Sequence, residues 1–252
     1  MDRPSPEDAA RLVVEERFGN AVVAILAGSV TTGRATATSD LDLIVVAPDD
    51  PEVPYRDAFH AHGWPVEAFI HDERSIEGFF RHDARTGECA LATMISTGVV
   101  ILDDGSASHL RRRAQTLIDA GPPVVAEDEV RDLRYTVTDL LDDLRGDHVG
   151  DESLLIGPAL ASQAATLFLT LNGAWRSEGK WLLRRLRGTG PVVADRFVLA
   201  LRAHQRGDAG PLISFAEQVL EESGGSLFDG YRVSGKPLIA GLEPSGDDAS
   251  RG

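Results

Sequence analysis

Residues 21–47 read AVVAILAGSVTTGRATATSDLDLIVVA. Two short apolar runs, 21–27 and 41–47, bracket a loop of small residues, and the second run is led in by Asp40-Leu41-Asp42-Leu43. Continuous apolar runs of this length between turn-forming residues predict strands buried on both faces. Side chains alternate across a strand, so Asp40 and Asp42 share a face, roughly 6–7 Å apart along the backbone. Two carboxylates at that spacing can grip one hard cation or a pair of them. Glu67 is a third acid, embedded in the strand-like run Val66 to Ile70 (VEAFI). If the two strands are neighbours, the three acids converge on one point. Such a cluster repels itself, calls for a divalent cation, and offers the oxygen ligands that suit Mg²⁺. Two Mg²⁺ ions ~3.5–4 Å apart would clamp the attacking and leaving oxygens of an in-line phosphoryl displacement. Asp72 and Glu73 stay open as alternatives for the third acid, but both lie past the end of the apolar run.

Gly28-Ser29 closes the first strand, eleven residues before Asp40, counting from Ser29. A Gly there lets backbone approach a phosphate, and Ser29 adds a hydroxyl and an amide at an expected short helix N-terminus. Two other phosphate motifs fall short. In Gly28 to Gly33, Arg34 and Ala35 stand where a P-loop needs Lys and Ser/Thr, and GYRVSGKP (Gly230 to Pro237) ends in Pro with no strand before it. There is no G-x-G-x-x-G and no G-x-S-x-G, so dinucleotide oxidoreductase and α/β-hydrolase readings lose their main support.

Outward from this stretch, Ser5 and Pro6 predict the start of a helix that Gly19 ends. A short helix is expected around Arg56 to His62, and a further strand over Val99 to Leu102. Texture changes at GPPVV (Gly121 to Val125), the expected domain boundary. Beyond it, Leu133, Val137, Leu140, Leu141 and Leu144 recur at helical spacing, and further helices are expected over Pro158 to Trp175, Pro191 to His204 and Pro211 to Glu221. The division is 1–122, 123–242 and a flexible tail, 243–252: an α/β half, then a helical half.

The chain has 252 residues, 42% of them hydrophobic, enough for a sizeable core. Its 40 acids and 25 bases give a net charge of −15. That balance argues against a nucleic-acid groove, where Lys and Arg displace counterions, and favours a cationic small molecule. The single cysteine, Cys89, excludes an internal disulfide and multi-cysteine metal sites. The seven histidines show no ligand spacing. No membrane-spanning run and no signal peptide are read, so a cytoplasmic protein is expected. Only Lys180 and Lys236 are lysines. Lys180, in SEGKWLLRRL, offers the compact ammonium that a triphosphate contact would use, or is simply a solvated turn residue. Trp175 and Trp181 read as helix-packing residues before they read as stacking rings.

Gly28-Ser29, Asp40-Leu41-Asp42-Leu43 and Glu67 between small apolar neighbours together resemble the DNA polymerase beta-type nucleotidyltransferase superfamily. The helical half with GKWLLRRL is similar to aminoglycoside nucleotidyltransferases (adenylyltransferases). The resemblance implies an α+β fold, a small mixed-sheet nucleotidyltransferase domain followed by a C-terminal helical bundle, with the active site between them. It implies Mg²⁺ on Asp40 and Asp42, with Glu67 completing the metal site or acting as base. Gly28 and Ser29 would hold the β- and γ-phosphates of ATP, and Lys180 would reach the triphosphate. Arg34 is the one candidate for the basic residue that relatives often carry near the Gly-Ser turn. The implied reaction moves a nucleoside monophosphate, AMP from ATP, to a hydroxyl of a small cationic, aminoglycoside-like acceptor, as in antibiotic resistance. Asp139, Asp142 and Asp143 (in TDLLDDL) could line a cleft for its ammonium groups or form a solvated helix face. The alternative is an antitoxin-type module that modifies or binds a protein or RNA partner.

Overall fold

The structure, a computed structural model, describes residues 3–146 and 150–233. Helix α1 (Pro6–Arg17) starts as its sequence directs: the Ser5 hydroxyl accepts from the Asp8 amide at 3.1 Å, Pro6 opens the first turn, and Glu7 and Asp8 face the positive end of the dipole. Strands β1 (Val23–Ala27), β2 (Leu41–Val46), β3 (Tyr55–Ala61), β4 (Trp64–His71) and β5 (Val99–Asp103) form one sheet in the order β3-β4-β2-β1-β5. The β2–β4 pair is parallel and the other pairs are antiparallel, so the sheet is mixed.

The helix expected around Arg56 to His62 is instead the edge strand β3. Tyr55, Phe59 and Ala61 are half-buried, whereas Arg56, Ala58 and His60 are exposed, a period of two. His62 (φ 51°) and Gly63 (φ 78°) then turn the chain into β4 as a two-residue hairpin loop with both φ values positive. The hairpin lets β4 return beside β2 and run parallel to it.

Three helices absent from the sequence expectation, α2 (Glu73–Thr86), α3 (Ala90–Thr97) and α4 (Ala107–Ala120), cover one sheet face. Ile76, Ile95 and Leu110 pack there on Ile25, Ile44 and Val46. Helix α1 covers the other face, with Val13 against Leu43, Val66 and Ile70. The proposed division near residue 122 lies in the connection from α4 to α5. Helices α5 (Glu127–Gly146), α6 (Ser153–Leu171), α7 (Gly179–Thr189), α8 (Pro191–His204) and α9 (Gly210–Glu222) then pack around a core of their own that includes Leu141, Leu160, Leu186 and Leu212. The fold is α+β, an N-terminal mixed-sheet region followed by a helical region.

Helix α6 departs from its expected bounds at both ends. Pro158 sits inside it rather than at its start, an early position where the missing N–H forfeits one bond. It ends before Asn172-Gly173 (Gly173 φ 59°), and Trp175 crosses back to the first half. There Trp175 is buried beside α4, its indole N–H donating to the Ile118 carbonyl at 3.1 Å. The expectation of no membrane-length apolar stretch also needs correction. Ser153–Leu171 is 19 residues long with a mean hydropathy of 1.6, enough by length and composition to cross a membrane. Half of that window is buried against the rest of the protein, and α6 packs against α5, α7, α8 and α9. The 243–252 tail and the end of the GYRVSGKP motif, including Lys236, lie outside the described residues.

Candidate active site

Asp42 stands on the sheet face that α2, α3 and α4 cover, on the same side as Ile44 and Val46, but at the strand end those helices leave open. In the parallel register it lies directly beside Glu67, and in the antiparallel register it pairs with Ala27. Asp40, two residues earlier, adds the third acid. One oxygen from each of Asp40, Asp42 and Glu67 lies within 4.8 Å of the others, and all three side chains are half-buried. Burial, then Asp40, raises the Asp42 carboxyl from its ordinary 3.8 to about 6, while Lys180 and Arg56 pull the other way. A carboxyl with a raised pKa beside two more acids marks a candidate functional site, and the three oxygens could hold a metal ion.

The β1–β2 turn keeps this space clear. Gly28 has φ 83° and ψ −156°, and a Cβ on it would collide with Oδ2 of Asp42, so only glycine fits. Ser29 to Thr31 form a short 3-10 turn in which the Thr31 hydroxyl donates to the Gly28 carbonyl at 3.1 Å. The Ser29 hydroxyl is engaged with that of Ser39 at 2.8 Å, and Ser39 also accepts from the Thr36 amide at 2.8 Å. Buried Ser39 thereby pins both ends of the loop next to Asp40. Sequence reasoning passed over Ser39, whose one signal was its place immediately before the first acid.

The alternatives for the third acid are engaged elsewhere. Asp72 caps α2, and its hydrogen bonds from Ser75 hold its carboxyl below the ordinary range. Glu73 pairs with Arg113 at 2.7 Å. Glu67 itself pairs with Arg56 of β3, a residue hidden from sequence reasoning by the helical assignment of its segment.

Lys180 lies in the first turn of α7, near enough for its charge to act on Asp42. One turn on, Arg184 lies over the Trp181 ring, 4.3 Å from its centroid, and feels the charge of Arg34 from the β1–β2 loop. None of Lys180, Arg184 and Arg34 is in a salt bridge among the described residues. A cavity of about 270 Å³ opens between Gly28 and Thr32, α3 (Thr93, Thr97) and α7 (Trp181, Arg185). Arg185 donates to Cys89 Sγ at 2.8 Å and to the Thr93 hydroxyl at 3.1 Å, and burial pushes the Cys89 thiol up. Glu88 and Glu178 stand at the cavity, neither in a salt bridge among the described residues. Asp139, Asp142 and Asp143 are not brought there. They are exposed on α5, where Asp142 accepts from Arg145, which also holds Glu217.

No curated protein matches this chain. A solved nucleotidyltransferase-like protein from Exiguobacterium sibiricum 255-15 is similar at a TM-score of 0.44 and 15% identity, over 86% of this chain and 76% of that one. Residues 8–77 match the family described as the nucleotidyltransferase domain. This stretch runs from within α1 to the start of α2 and carries Gly28, Asp40, Asp42 and Glu67, so the similarity to that family covers the three acids and the turn beside them.

Proposed function

We propose that this protein is a nucleotidyltransferase that moves AMP from ATP to a hydroxyl of a small cationic acceptor of the aminoglycoside type, with Mg²⁺, releasing pyrophosphate. The observation that carries the reading is the meeting of Asp40, Asp42 and Glu67 at one point, beside a cavity walled by Gly28 and α7. Their donor set is all oxygen, and Gly28 keeps side-chain atoms out of the space beside Asp42, so the residues fit a hard divalent cation. Mg²⁺ bound there would polarise the α-phosphate and neutralise charge on the departing pyrophosphate.

The residues of the chain supply the rest. Gly28 and the Ser29 turn offer backbone to the phosphates, and Lys180, with Arg184 and Arg34 nearby, offers cations to the triphosphate. The acceptor oxygen attacks the α-phosphorus, the bond from Pα to the bridging oxygen of the β-phosphate breaks, and pyrophosphate leaves with that electron pair. The proton of the acceptor hydroxyl goes to Glu67 where that carboxylate serves as base, and to water where it serves as a metal ligand. Glu88 and Glu178 at the cavity, together with the −15 net charge, support a cationic acceptor. The experiment is a screen of aminoglycosides and related cationic antibiotics for pyrophosphate release from ATP with Mg²⁺. Release that depends on both the acceptor and the metal is expected. Release with neutral acceptors only would overturn the substrate class.

A further inference from the structure

Glu67 answers to a residue outside the acidic cluster. In the β3–β4 register Ala58 lies opposite Glu67, so Arg56, two residues earlier, stands on the same face one diagonal away. Its guanidinium holds Oε1 of Glu67 and lies over the Phe69 ring, with Cζ 5.2 Å from the ring centroid. The Arg56 side chain is 61% exposed and that of Glu67 22% exposed. An ion pair this open adds little to stability, so holding the fold together is a poor account of it. The nearest acid on its own strand, Asp57, pairs instead with Arg17 at 3.9 Å.

A carboxylate has two oxygens. Glu67 both holds Arg56 through Oε1 and offers an oxygen to the cluster with Asp40 and Asp42, and a guanidinium, which keeps its proton, acts there as a fixed counter-charge. We propose that Arg56 is a positioning residue that shares Glu67 with the divalent cation: it aims the carboxylate into the acid cluster and competes with the metal for it, so that β3 sets the cation affinity of the site. The proposal rests on the metal reading above.

The test is a titration of the nucleotide-free, full-length protein with Mn²⁺, followed by the EPR signal of the free ion. Arg56→Met keeps a long unbranched side chain at this edge-strand position and removes the charge. It should bind Mn²⁺ roughly 3- to 10-fold more tightly than wild type, within the range of couplings between contacting groups. In a Glu67→Gln background the same change should shift affinity by less than about twofold, the limit expected of sites that do not couple. If Glu67→Gln does not fold, Glu67→Ala supplies the background. Unchanged Mn²⁺ affinity in Arg56→Met would overturn the proposal alone. So would an equal gain with and without Glu67, which would mark a diffuse charge effect. A wild-type protein that binds no Mn²⁺ would overturn the metal reading and this proposal together.

Discussion

At Asp42 the burial that makes a good cation site also puts a load on the folded state. Its carboxyl is raised from 3.8 to about 6, first by burial and then by Asp40. A raised acid pKa means that the folded protein binds the proton more tightly than the unfolded chain does. This group therefore opposes folding most above pH 6, and the opposition fades as the pH falls toward 4. Asp42→Asn should stabilise the metal-free protein at pH 8 by on the order of 1–2 kcal/mol, after discounting the shift for solvent screening. The gain should vanish near pH 4. Thermal melts of both proteins in a chelator across that range check the sign, and an equal gain at all pH values would contradict it. The same variant should lose metal-dependent turnover, and wild-type cation affinity should fall as the pH drops below about 6.

Among the elements, the β1–β2 turn and α7 carry separable duties. Gly28 and Gly33 both have positive φ, but a Cβ at Gly33 meets open space whereas one at Gly28 runs into Asp42. Both Gly→Ala changes should cost about 1 kcal/mol or more in backbone strain, yet only Gly28→Ala should abolish turnover. Denaturant melts paired with pyrophosphate assays separate the two, and an active Gly28→Ala would remove the turn from the site. On α7, Lys180→Ala should raise the KM for ATP about tenfold or more, the worth of a charged hydrogen bond, and leave the acceptor KM nearly unchanged. Initial-rate kinetics with each substrate varied would show it; an effect on the acceptor alone would reassign the residue.

The same elements show what was legible beforehand. β1 and β2 were, because both faces are covered and their apolar runs are continuous, so that two acids leading in β2 stood out. β3 was not, because an edge strand with one open face mixes Arg56, Ala58 and His60 with half-buried Tyr55 and Phe59, and blurs the contrast that periodicity needs. Arg56 went unseen with it. Helices α2 to α4 cover the sheet through a few residues each, such as Ile76 and Phe80 in α2, too sparse a signal beside their polar faces. Ser39 had no signal beyond adjacency to Asp40, since its role depends on a loop closing back on Ser29.

On the scale of the whole molecule, two cores meet through Trp175 and the segment that follows it, where the Arg176 amide donates to the Gly87 carbonyl at 2.7 Å. That crossing brings α7, which sequence distance puts far from the acids, to the open end of β2 and β4 and makes the cavity. In the proposed reaction this cleft transfers a nucleotidyl group through Asp40, Asp42 and Glu67. That transfer is tested most directly by supplying ATP labelled at the α-phosphorus or at the γ-phosphorus, with Mg²⁺ and an aminoglycoside panel, and following the label. α-Label should appear on the acceptor, γ-label should leave in pyrophosphate, and Asp40→Ala or Asp42→Ala should abolish both. Transfer of the γ-label to the acceptor, or undiminished α-label transfer by either Asp variant, would contradict it.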